Sequence, residues 1–233
     1  MNIVITGANR GLGYELTLAA AQRGHKVIAG IRSPEPKGKF LDLIGRFPDQ
    51  IDPVQLDVCI EETIARLSEK LLAERQTVDA IINNAGILLG RGVAIEEMPM
   101  EVIIQTFEIN LFGPMMVIKH LLPLMSDGGD SRAIINISSE AGSLSNAYGG
   151  DYPYAISKTA INMFSKQLKK YVKNRGIRVY AIHPGWIETD MGGEKAPGDP
   201  AESAASIIDI VERKKDIDPE SFFISYKGEP MPI

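Results

Sequence analysis

Cysteine occurs once in the 233 residues, at Cys59, so no disulfide can form within the chain, a usage that fits a reducing compartment. With no histidine or metal-ligating partner pattern around it, Cys59 reads as a small packing residue. Histidine occurs three times and forms no Cys/His cluster, which leaves no metal site to propose. Positive charge is not in excess. The formal net charge of −5 argues against nucleic acid or an anionic membrane as the main partner. The most apolar long segment, Leu111 to Met125, is interrupted by Pro114, Lys119, His120 and Pro123, too broken to span a bilayer. Met1 to Thr6 passes directly into a glycine-rich loop with no basic start, apolar stretch or cleavage site, so the expected location is the cytoplasm. No repeat, low-complexity tract or linker divides the chain, and residues 1–233 read as a single domain.

What is present is an alternation of short β-branched runs with longer helical patterns. Strands are expected at Ile3–Thr6, Lys26–Ile31, Pro53–Leu56, Asp79–Asn83, Ala133–Ser138, Arg178–Ile182 and Phe222–Ser225. Helices are expected at Leu12–Arg23, Lys39–Phe47, Glu61–Arg75, Met100–Met125 with a bend at Pro114, Tyr154–Asn174 and Pro200–Arg213. The early strands are continuously apolar, as in strands covered on both faces. Such alternation predicts an α/β fold, a doubly wound parallel sheet with helices on both faces. Ligands of such sheets bind at the carboxyl ends of the strands, near the switch point.

The loop after the first strand, Thr6 to Gly13, reads TGANRGLG and leads into a helix. Glycines at Gly7, Gly11 and Gly13 would let the backbone approach a pyrophosphate, with the helix N-terminus supplying free N–H groups. The spacing is not G-x-G-x-x-G, and an ordinary strand-to-helix turn is the competing reading. The second strand ends Ala29-Gly30-Ile31-Arg32-Ser33 without the acid that holds a ribose 2′-hydroxyl. Arg32 there, and Arg10 within the loop, favour the 2′-phosphate of NADP(H) over NAD(H), unless both are merely solvated surface charges.

The stretch YPYAISK, Tyr152 to Lys158, places Tyr154 four residues before Lys158. In a helix starting near Pro153 the two share a face, one turn apart.

The glycine loop, NNAG at Asn83–Gly86, NISS at Asn136–Ser139, the Tyr154/Lys158 pair and HPGWIETD at His183–Asp190 occur in that order. Together they resemble the short-chain dehydrogenase/reductase family, in its compact, carbonyl-reductase-like single-domain branch. The resemblance runs from residue 3 to about residue 190, and the final strand is also family-like.

That resemblance implies a Rossmann-type sheet of about seven strands binding a nicotinamide dinucleotide, and hydride transfer between it and an aldehyde, ketone or secondary alcohol. It makes Tyr154 the acid that protonates the carbonyl oxygen and Lys158 the charge that lowers the tyrosine's pKa and contacts the nicotinamide ribose. Ser139 becomes the residue that holds the substrate oxygen, with Ser138 the alternative, since neighbours on a strand face opposite ways. Asn110 in TFEINLFGP becomes the residue that bends its helix and completes a proton relay, or else a buried asparagine satisfied by backbone groups. Cofactor contacts carry over to Gly7, Asn9, Arg10, Gly11, Leu12, Gly13, Arg32, the pair Asp57-Val58, Asn83, Ala85, Gly86, Pro184, Gly185, Ile187 and Thr189, besides Tyr154 and Lys158, with Asn83-Asn84 equally readable as a purely structural tie between neighbouring strands. The segment between Ser139 and Tyr154 is longer than the commonest family spacing, and Ser145–Asp151 is expected to bulge beside the substrate entrance. His183 reads as a strand-end residue, and Tyr148, Trp186 and Met191 as substrate-lining side chains or ordinary packing. Relatives form dimers or tetramers, so a homodimer or homotetramer is expected. The other class of function is an NADP-binding sensing or signalling protein of the same fold with little turnover, which loss of Tyr154 or Lys158 would have favoured.

Overall fold

The computed structural model describes residues 1–125 and 132–233. Seven strands, β1 (Asn2–Thr6), β2 (Lys26–Ile31), β3 (Ile51–Gln55), β4 (Ala80–Asn83), β5 (Ala133–Ile137), β6 (Arg178–His183) and β7 (Phe223–Ser225), form one parallel sheet in the order β3-β2-β1-β4-β5-β6-β7. The helices among the described residues are α1 (Gly11–Gln22), α2 (Lys39–Arg46), α3 (Glu61–Ala73), α4 (Met100–Phe107), α5 (Gly113–Leu121), α6 (Tyr152–Tyr171) and α7 (Pro200–Val211).

Alternation along each central strand divides the core in two. Ile3, Ile5, Ile82 and Ile135 face one layer with Leu16 of α1 and Ile207 and Ile208 of α7. Val4, Ile81, Ile134 and Val179 face the other, with Leu67 of α3, Val117 of α5 and Leu168 of α6. Because both faces are covered, the strands read as unbroken apolar runs. β3 begins two residues earlier than expected and contains Pro53. As the outermost strand it tolerates a residue that cannot donate to the ladder.

The long helix expected over residues 100–125 is divided. Pro114 has no N–H for the carbonyl of Asn110. The chain widens into a π turn over Glu108–Phe112, where the Gly113 N–H reaches back to Glu108 O, and α5 starts with Pro114 in its first turn. Met100–Leu124 has the length and hydropathy of a membrane span, yet α4 packs on α6 and α5 on α3.

β1 pairs with both β2 and β4, so the chain's winding reverses there and a crevice opens at their carboxyl ends. Two loops meet at that point. Thr6 Oγ1 accepts the Asn84 and Ala85 N–H groups, each at 3.0 Å, and Asn84 Nδ2 donates to Thr6 O at 2.9 Å.

Candidate active site

The crevice is a cleft of about 960 Å³ running from the glycine loop to the N-terminus of α6. Its floor is built by close backbone approach. Gly7 has φ +64°, and a Cβ on Gly13 would lie 2.1 Å from the Gly7 carbonyl oxygen. Arg10, at the N-cap of α1, makes no capping bond with its side chain, so the first-turn N–H groups face the cleft uncapped. Such a cradle fits a pyrophosphate. Asn9, Gly11, Leu12, Arg32, Asp57 and Val58 line the same half. Ala85, Gly86, Pro184, Gly185, Ile187 and Thr189 line its continuation toward α6.

Three of the expected cofactor residues have other partners. Asn83 lies beneath the cleft, where its Nδ2 donates to Asn136 Oδ1 at 2.8 Å, and it braces β4 against β5. Asp57 accepts the Cys59 N–H at 3.0 Å. Arg10 is paired across the cleft mouth with Asp190 at 3.1 Å, both side chains largely exposed. Cys59, expected to pack, is exposed on the cleft rim instead. The turn after β3 tips it outward.

At the other end, α6 begins at Tyr152 and buries Tyr154 and Lys158 on one face. Lys158 is 5 % exposed, and its Nζ donates to Ile137 O at 2.8 Å while standing 5.5 Å from the Tyr154 ring centre. Burial lowers its pKa to about 8. The Tyr154 phenol moves the other way from the effect expected of Lys158. Burial pushes its pKa up, opposed by the facing Ser139 hydroxyl and by the Arg91 charge, with Asp151 adding to the rise. The reason is positional: the ammonium stands over the ring and is engaged by the β5 carbonyl.

The two serines separate as alternation requires. Ser138 turns inward, 1 % exposed, and its Oγ donates to Asn162 Oδ1 at 2.6 Å. Ser139 caps a short 3-10 turn, Glu140–Gly142, its Oγ accepting the Ala141 N–H at 3.2 Å. His183 accepts the Glu140 N–H at Nδ1 (3.1 Å), and burial holds its pKa below the usual value, against the pull of Glu140. It is the last residue of β6, as a structural strand-end residue would be.

Asn110 is 2 % exposed within the π turn. Its Oδ1 accepts the Ile87 N–H at 2.9 Å, and its Nδ2 donates to Ile87 O at 2.9 Å and Ser157 Oγ at 3.0 Å. The side chain thus ties the loop after β4 to α6. The segment 144–149 is exposed at the α6 end of the cleft, and Tyr148 donates to Asp151 at 3.2 Å. Burial and then the Asp151 charge push the Tyr148 pKa to about 12. Arg91, Asp151 and Asn162 were not singled out from the sequence. Arg91 sits in a loop with no periodic signal, Asp151 reads as ordinary loop, and Asn162 is one more polar residue in a helix. No cluster of three metal-ligating side chains occurs among the described residues.

The family model for short chain dehydrogenases matches residues 1–199, and the chain belongs to that family of oxidoreductases. A 3-oxoacyl-[acyl-carrier-protein] reductase FabG of Thermotoga maritima is 34% identical over 207 residues, 89% of this chain and 82% of that protein. Among solved structures, the carbonyl reductase Sniffer of D. melanogaster superposes with a TM-score of 0.88 at 29% identity, covering 100% of this chain and 99% of that one. An NADPH-bound carbonyl reductase from chicken fatty liver gives a TM-score of 0.86 at 27% identity, covering 100% and 98%.

Proposed function

We propose that this chain is an NADP-dependent reductase of aldehydes or ketones, running reversibly on secondary alcohols. The observation that carries the reading is the placement of Tyr154 and Lys158. Both are buried, one turn apart on α6, in the same cleft as the glycine cradle and beside Ser139. Nicotinamide held in this cleft would supply the hydride for the carbonyl carbon. Tyr154 gives its phenolic proton to the carbonyl oxygen, which keeps the product neutral. Ser139 donates a hydrogen bond to that oxygen as charge develops. Lys158 holds the nicotinamide ribose, and Asn110 keeps the loop after β4 and α6 in register while serving proton return. Gly7, Gly11, Gly13 and the first turn of α1 take the pyrophosphate, Asp57 and Val58 the adenine, and Pro184 to Thr189 the carboxamide.

NADP over NAD is supported by Arg10 and Arg32 on the cleft wall, by the absence of an acid at the end of β2, and by the NADPH named in the chicken enzyme. The reading includes a cytoplasmic enzyme acting as one nucleotide-binding domain. It also includes assembly into a homodimer or homotetramer, supported by apolar side chains left outward on the long helices, Ile104, Phe112, Met163 and Tyr171 among them.

The test is carbonyl-dependent oxidation of NADPH over a panel of aldehydes and ketones, with Tyr154→Phe alongside. Turnover should fall by about 10²–10⁴-fold in the variant with NADPH binding retained. Tight NADPH binding with no turnover on any compound would overturn the reading in favour of a nucleotide-sensing protein.

A further inference from the structure

Ser139 can assist Tyr154 only while two separate elements, the end of β5 and the start of α6, hold a set distance. Several side chains join them, Lys158 to the Ile137 carbonyl among these, but one reaches the chain on both sides of Ser139. Asn162 is 5 % exposed and lies one helical turn beyond Lys158 and two beyond Tyr154, on the same buried stripe of α6. Its Oδ1 accepts from Ser138 Oγ at 2.6 Å, the residue just before Ser139. Its Nδ2 donates to Gly142 O at 3.2 Å, three residues after Ser139. Thr159 Oγ1 donates to the same carbonyl at 3.2 Å. The fit is close, since a Cβ on Gly142 would lie 2.7 Å from the Lys158 carbonyl carbon. Asn162 therefore grips the Ser139 turn on both sides.

We propose that Asn162 is a positioning residue that fixes the Ser139 hydroxyl against Tyr154. The inference rests on the reductase reading for its functional meaning. Asn162 touches neither substrate nor cofactor. It acts through Ser139, whose hydroxyl favours the ionised phenol and so opposes the rise that burial imposes on Tyr154. An amide suits the task because it offers one acceptor and one donor at fixed separation, and both are used.

The experiment is a double-mutant cycle of Asn162→Ala with Ser139→Ala in the full chain. It is read in kcat and KM for carbonyl reduction, in the pH profile, and in the 13Cζ resonance of Tyr154, assigned by its loss in Tyr154→Phe. Asn162→Ala should lower kcat by about tenfold to a hundredfold, the scale of a displacement on the order of 1 Å, with NADPH binding changed less than about twofold. The basic limb of the profile should move to higher pH, and the Tyr154 resonance should shift in the sense seen in Ser139→Ala. The double variant should lose little more than either single one. Ser138→Ala, which keeps Asn162 but removes its hold on β5, should give the same pattern more weakly and serves if Asn162→Ala does not fold. Additive losses, or an unmoved resonance and pH limb, would overturn the proposal. If the protein reduces no carbonyl, the reductase reading fails, and the resonance arm still decides whether Asn162 sets the Ser139–Tyr154 contact.

Discussion

Lys158 donates a hydrogen bond to the Ile137 carbonyl at 2.8 Å while standing 5.5 Å from the centre of the Tyr154 ring, so the two residues are neighbours without a direct bond. Burial lowers the lysine's pKa from 10.5 to about 8, which means the folded chain carries this charge at neutral pH at a cost on the order of 3 kcal/mol. The unfolded chain holds more protons between those values, and this contribution to stability rises with pH through that window. Replacing Lys158 by Met removes the cost but leaves the Ile137 carbonyl without its donor, which offsets about 1 kcal/mol. Lys158→Met should therefore stabilise the fold by about 2 kcal/mol at neutral pH while abolishing reduction. The gain should shrink as pH rises from about 8 toward 10.5. Thermal melts of both proteins across that range, with activity assays, check both halves.

The Arg10–Asp190 pair spans the mouth of the cleft with both side chains mostly in solvent. Exposed pairs of this kind contribute about 1 kcal/mol or less. Asp190→Asn should release Arg10 for a 2′-phosphate and tighten NADPH binding by up to about fivefold, with NADH unchanged. Arg10→Ala should weaken NADPH selectively. Titrations with both cofactors at two salt concentrations check this, and the NADPH effect should fade at high salt.

Glu212, just beyond α7, is 13% exposed and meets Arg23 at 2.5 Å, His25 at 2.9 Å and Lys214 at 2.8 Å. Burial pushes its carboxyl pKa up, yet the Lys214, Arg23 and His25 bonds together carry it below the ordinary value. A depressed carboxylate stabilises the fold above its unfolded pKa, and the effect is lost as pH falls through the folded one. Glu212→Gln should cost about 1–2 kcal/mol at neutral pH. The difference from the parent should vanish in acid, as urea melts at neutral and acid pH would measure.

Gly13 has no room for a side chain: a Cβ would meet the Gly7 carbonyl oxygen at 2.1 Å and Asn84 Nδ2 at 2.6 Å. The first neighbour is backbone and cannot turn aside. Gly13→Ala should destabilise by about 3 kcal/mol and abolish NADPH binding. Denaturant melts and cofactor titration by Trp186 fluorescence, the chain's one indole and part of the cleft wall, report the two effects together.

Features with a local period were legible in the sequence. The shared face of Tyr154 and Lys158 follows from helical spacing, and the close approach at the glycine loop from glycines between an apolar run and a helix. What stayed hidden depends on distant pairs. Arg10 meets Asp190 across 180 positions, which turns an apparently free cation into a partnered one. Asn162 meets Ser138 across 24, and no periodicity in α6 distinguishes that asparagine from a surface one. The choice between Ser138 and Ser139 needed the orientation of β5, not merely its existence. The break in the long helix was marked by Pro114, but it falls earlier, since a missing N–H disturbs the carbonyl four residues before it.

The π turn over Glu108–Phe112 also makes this stretch a place where chain length is counted. A π turn holds one residue more than an α turn of the same rise. Removing a residue there would narrow the turn toward α geometry with α4 and α5 still in line, although Pro114 would still offer no N–H to the turn before it. The helix would gain regularity and the site would lose its anchor. Val117, Ile118 and Leu121 would keep the layer they fill, but Asn110 would leave Ile87 and Ser157. A deletion that improves the helix locally would thus undo the site, which makes the irregular turn the part of this segment least open to shortening.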